Sequence, residues 1–119
     1  MSTVTVYKVV FPGYMSESED CNEIISPNGF DALSGYILLA RPEQIPMIIR
    51  NLYSVFRELL LLKIDYEWIA SDIRWKEVTL ENETDIMPCY YGELQRKHIV
   101  DTIKIQKDRD GVLNIPQMI

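Results

Sequence analysis

The chain has 119 residues, 47% of them apolar and 25% charged, a composition that supports one folded core and excludes intrinsic disorder. Its net charge of −6 gathers in two segments: residues 1–35 hold five acids against one base, and residues 66–85 hold six acids against two. Such a surface repels a phosphate backbone at long range, so direct nucleic-acid binding is not expected and a basic protein partner is.

In chain order, Thr3–Phe11 is β-branched and aromatic almost throughout, and Pro12-Gly13 stops it. Both of its alternating faces are apolar, which places this strand inside a sheet. Residues 12–34 read as a long acidic loop with a turn signal at Pro27-Asn28-Gly29, and an excursion of that length tends to be functional or mobile. Gly35–Ala40 predicts a short buried strand closed by Arg41-Pro42.

A long amphipathic helix is expected next, starting at residue 43 or 46 and ending near Lys63. Ile45, Ile48, Ile49, Leu52, Tyr53, Val55, Phe56, Leu59, Leu60 and Leu62 fill one half of its circumference. Met47 and Leu61 fall on the polar half and read as single exposed apolar residues. A strand follows at 73–80, while Tyr66–Ala70 fits a helix or a strand equally. Ile86–Tyr91 reads as a short strand that Pro88 confines to an edge. Ile99–Gln106 and Val112–Ile115 flank a turn in which Gly111 supplies positive φ, predicting a C-terminal hairpin. The sum is one α+β domain over residues 1–119, a mainly antiparallel sheet of four to six strands packed against one long amphipathic helix.

Catalytic and metal chemistry find little support. Cys21 and Cys89 lie too far apart for a zinc knuckle or redox pair and read as free thiols. In Asp108-Arg109-Asp110-Gly111 a calcium loop would need carboxylates where Gln106 and Gln117 stand, so a plain turn is expected. His98 has Cys89 and Asp101 nearby in sequence, but no nucleophile signature surrounds them, and His98 reads as a surface or half-buried side chain. Asp101 would share a strand face with Ile99, Ile103 and Ile105, which favours a later strand start over a buried charge. No cofactor, metal or catalytic residue is expected. The scattered glycines exclude a phosphate loop.

Two binding patterns stand out. The acidic loop offers Glu17, Glu19, Asp20 and Glu23 as an electrostatic lure, with Trp68 or Trp75 as aromatic anchor. Separately, Tyr90, Tyr91, Trp68 and Trp75 lie near Arg74, Lys76, Arg96 and Lys97, the ingredients for stacking a nucleotide base and holding its phosphate. The leading expectation is a non-enzymatic, acidic protein-binding module, an inhibitor, immunity or anti-defence protein that blocks a basic nucleic-acid-handling partner. The alternatives are a small-molecule or nucleotide-binding domain that uses aromatic stacking, and a structural or assembly subunit of a larger particle. Thr3–Val6 shows no secretory pattern, and the Leu59–Leu62 run is far short of the roughly 20 residues that cross a bilayer, so a cytoplasmic protein without membrane contact is expected, with a homo-oligomer compatible.

Overall fold

The computed structural model describes residues 4–14, 20, 22–25, 29–81, 83–112 and 114–115. The valine-rich stretch after Thr5 forms β1 (Val6–Val10), and all five of its side chains are buried. It pairs antiparallel with β3 (Glu58–Ile64), which pairs in turn with β6 (Ile99–Gln106), giving a sheet of order β1-β3-β6. A second antiparallel sheet has the order β2-β5-β4, built from β2 (Ile37–Leu38), β4 (Ile73–Leu80) and β5 (Glu83–Tyr90). The two sheets meet at a bridge between Tyr7 and Ala40, whose backbones exchange hydrogen bonds of 2.8 and 2.9 Å. That bridge gives β1 a hydrogen-bonded neighbour on both edges.

Consecutive residues of β1 and β3 alternate between two apolar clusters. Tyr7, Val9, Leu59 and Leu61 enter the one that also holds Ile45, Met87 and Ile105. Val6, Val10, Leu62 and Ile64 enter the other, with Leu39, Tyr90 and Leu94. This double burial overturns the expected long helix. The helix α2 spans only Ile45–Leu52, following a 3-10 turn at Pro42–Gln44, and the chain turns through residues 53–57 into β3. As a helix, Leu59–Leu62 could cover one cluster; as the middle strand of a sheet they supply both. Met47 and Leu61, expected at the surface, are buried core residues, whereas Val55 in the turn is exposed. The architecture is therefore α+β with two three-stranded sheets and a small helical part, in place of one sheet on one long helix.

Two other expectations change. Pro88 lies in β5, the central strand of its sheet, because β2 ends at Leu38 and no ladder bond needs the missing amide. The Pro88 carbonyl instead accepts from Leu39 N at 3.0 Å. The strand β6 starts at Ile99 and not later: Ile99 opposes Ile64 while Asp101 opposes Lys63, so Val100 is an extra bulged residue and Asp101 remains exposed. The segment left open, Tyr66–Ala70, is a helical turn, α3 (Tyr66–Ile69), that continues into a 3-10 turn. Within the expected early loop, Gly29–Ser34 forms a short helix, α1, stopped by Gly35 at φ 85°.

Candidate functional site

Lys8 shares the β1 face of Val6 and Val10 and would be costly to bury alone. Its Nζ donates to Asp31 Oδ2 on α1, and the second carboxylate oxygen accepts from Leu38 N at 3.0 Å. Both oxygens of Asp31 are thus engaged, and α1 is pinned against β1 and β2. Beside the pair, the hydroxyl of Tyr14 is buried and has no hydrogen-bond partner among the described residues. Burial, reinforced by the Asp31 carboxylate, pushes its pKa up to about 12. Tyr53 is pushed up to about 12 by burial and, secondarily, by Asp31 and Tyr14.

Pinning α1 creates a cleft of about 350 Å³. Asp31, Ala32 and Gly35 form one wall, Tyr36 and Ile37 a second, Tyr90 to Leu94 a third, and Ile24 and Ile25 complete it. The last two are held by backbone pairing to the segment after β5, with Ile25 N 2.7 Å from Leu94 O and a bridge between Ile24 and Gln95. Gly92 is required at its position: a Cβ there would lie 2.6 Å from the Tyr90 hydroxyl oxygen. That hydroxyl donates to Glu93 O at 3.0 Å, fixing the ring in the wall. Burial raises the Tyr90 pKa, with the carboxylates of Asp72 and Glu93 adding to it.

The pairing of β2 with β5 also brings Tyr36 to Tyr91, ring centroids 5.5 Å apart and planes tilted by 54°. Lys76 on β4 reaches over both rings, its Nζ 4.8 Å from the Tyr36 centroid and 5.8 Å from that of Tyr91, and donates to the Tyr91 hydroxyl at 3.1 Å. That hydrogen bond raises the Lys76 pKa. Neither Tyr36 nor its meeting with Tyr91 was visible in the sequence, since Tyr36 read only as part of a buried strand.

The residues singled out for partner binding are dispersed. Glu17 and Glu19 lie outside the described residues, as does Cys21. Asp20 Oδ1 accepts from Asn22 N at 3.0 Å, within the segment itself, and Glu23 pairs with one basic residue of the chain, Arg96, at 3.2 Å. Trp68 is exposed, meets His98 edge-on at 5.1 Å and carries Lys97 over its ring at 5.7 Å. Trp75 faces other partners, with Arg41 5.9 Å from its ring and its Nε1 donating to the Tyr66 hydroxyl at 3.2 Å. Arg96 and Lys97, read as phosphate-gripping groups, are thus engaged with Glu23 and Trp68.

Cys89, His98 and Asp101 do not converge. Cys89 is buried, its thiol contacts Met87 O at 3.6 Å, and burial raises its pKa. His98, expected at the surface or half-buried, is buried, and its Nδ1 accepts from Gln95 N at 3.0 Å. Desolvation, then the neighbouring Lys97, lowers its pKa. Asp108 Oδ1 accepts from both Asp110 N and Val112 N at 2.9 Å, and Gly111 has φ 81°, making residues 108–112 a hydrogen-bonded turn. Among the described residues no three His, Cys, Asp or Glu side chains group as metal ligands, and no helix is long and apolar enough to cross a membrane.

The family model described as a protein of unknown function, DUF952, matches residues 14–102. The chain belongs to the DUF952 family. The matched region contains every residue lining the cleft and leaves out β1 and the C-terminal turn. The crystal structure of CC0527 from Caulobacter crescentus resembles this DUF952 chain with a TM-score of 0.76 at 19% identity, covering 92% of this chain and 93% of that one. The solution NMR structure of CC0527 gives a TM-score of 0.72 at 20% identity, covering 96% and 92%. What these chains share at such identities is the fold. No curated protein matches the sequence.

Proposed function

We propose that this DUF952 chain is a non-enzymatic binding domain that takes a small molecule in the cleft between α1 and the end of β5. The observation that carries this reading is the convergence of Tyr36, Tyr90 and Tyr91 on one concavity of about 350 Å³. Small-molecule sites are concave spaces of roughly 300–1,000 Å³, mostly apolar, with a few placed polar groups. Ile24, Ile25, Ile37 and Leu94 supply the apolar surface and the tyrosines supply ring faces. The non-enzymatic part draws on Cys89 and His98, which are buried and do not themselves line the cleft.

A protein-binding role with a basic partner is the second reading. It draws on Trp75 and Ile86, both exposed and lying on one face of the β4-β5 ladder. A fragment screen followed by NMR separates the two. Hits that shift Tyr36, Tyr91 and Gly92, and that Tyr91→Ala weakens, support the cleft. Hits confined to Trp75 and Ile86, with the cleft silent, overturn it.

A further inference from the structure

Resting on the cleft reading, we propose that the small molecule bound there carries an organic ammonium group, with Tyr36, Tyr91 and Glu93 as its recognition set.

The charges lining the cleft are acidic. Asp31 and Glu93 are its only ionised lining residues among those described, and no Lys, Arg or His lines it. Asp31 is neutralised by Lys8 and has both oxygens engaged. Glu93 is exposed, and its carboxylate makes no hydrogen bond or ion pair among the described residues. A phosphate or carboxylate ligand would meet that charge within the cleft itself. The bases around it are already held, Lys8 by Asp31, Lys76 by the two tyrosines and Arg96 by Glu23.

The rings themselves indicate what they attract. A cation within about 6 Å of an aromatic centroid is held by the ring quadrupole, and quaternary ammonium groups are recognised by assemblies of such rings. Lys76 Nζ satisfies that criterion at both Tyr36 and Tyr91. Both rings also belong to the cleft wall, whereas Lys76 does not. Lys76 therefore shows that these rings hold a cation, and it adds a positive charge behind the cleft wall that a cationic guest must tolerate. Removing it makes the local field more negative, which raises affinity for an ammonium guest and lowers it for an anion. The sign of the Lys76 effect thus reports the charge of the guest.

The experiment is an NMR titration of the full chain with choline, its neutral carbon isostere dimethylbutanol, phenyl phosphate and a short trimethyllysine peptide, following Tyr36, Tyr91 and Gly92. Choline is expected to shift these resonances saturably and to bind at least several-fold more tightly than dimethylbutanol. Glu93→Gln should weaken choline by about two- to fivefold, the scale of an exposed charge contact, and Lys76→Met should tighten it by a similar factor. Equal binding of choline and dimethylbutanol, or tightening of phenyl phosphate by Glu93→Gln with choline inert, overturns the ammonium inference and leaves the cleft reading standing. Binding of the peptide alone keeps the ammonium chemistry and overturns the small-molecule reading. If no probe of any charge shifts the cleft, both fall. Far-ultraviolet dichroism of each variant, expected unchanged, separates lost binding from lost folding.

Discussion

Lys8 and Asp31 form an ion pair whose side chains are 2% and 6% exposed, joining the middle of β1 to α1. Removing one partner of such a pair strands a buried charge, at about 3–5 kcal/mol. Lys8→Met should therefore lower stability in urea unfolding by about that amount. The double change Lys8→Met with Asp31→Asn should recover much of the loss, because the amide oxygen can still accept from Leu38 N without a charge. A double-variant loss equal to the sum of the Lys8→Met and Asp31→Asn single losses would show that the two side chains are not energetically coupled.

Gly92 gives the cleft its Tyr90 wall. A methyl group 2.6 Å from the Tyr90 hydroxyl oxygen forces that buried ring to move, so Gly92→Ala should cost about 1–3 kcal/mol as overpacking. It should also shift the resonances of Tyr90 and Glu93 more than Tyr90→Phe does, since the latter removes one hydrogen bond and leaves the ring in place. A silent Gly92→Ala would mean that the ring has room to retreat.

The change from helix to strand at residue 58 has a direct consequence for stability. Leu61 is wholly buried in the middle strand, so Leu61→Ala should cost about 2–5 kcal/mol. Phe56 is only partly buried, stacked on Phe11 at 5.6 Å, and Phe56→Ala should cost less than Leu61→Ala. Val55→Ala, in the exposed turn, should stay within about 0.5 kcal/mol of the parent. Chemical denaturation of the three variants checks the order.

His98 predicts a pH dependence of stability. Desolvation, followed by Lys97, lowers its pKa below the ordinary 6.5, and Asp65 opposes only in part. In the window between the folded value and 6.5 the unfolded chain binds the extra proton. The neutral imidazole therefore stabilises fully above pH 6.5, and that contribution falls away as pH drops through 6.5 towards the folded value. The melting temperature of the parent should decline through this range. His98→Gln should flatten the decline, and a slope unchanged by the substitution would assign it to other groups.

Local chemistry was sufficient for several elements. The alternation of β-branched residues placed a strand at Thr3–Phe11, and β1 lies inside it. The period-two charges around Trp75 placed a strand at 73–80, which is β4. Gly111, with its positive φ, and Asp108 marked a turn that forms through backbone and Asx hydrogen bonds, and among the described residues after it Val112, Asn114 and Ile115 are not in a strand. Each of these signals resides in a few neighbouring residues, so it survives without knowledge of the rest of the chain. The four leucines at 59–62 carry no such local decision, because a helical stripe and a doubly covered strand are equally apolar. Only the presence of an apolar cluster on each side of β3 selects the strand. The same holds for the cleft. Tyr36 and Tyr91 are distant in sequence and meet because β2 pairs with β5, and Lys8 can be buried only because α1 carries Asp31 to it. Which groups are free to bind a guest is decided by which ones the fold has already joined to each other.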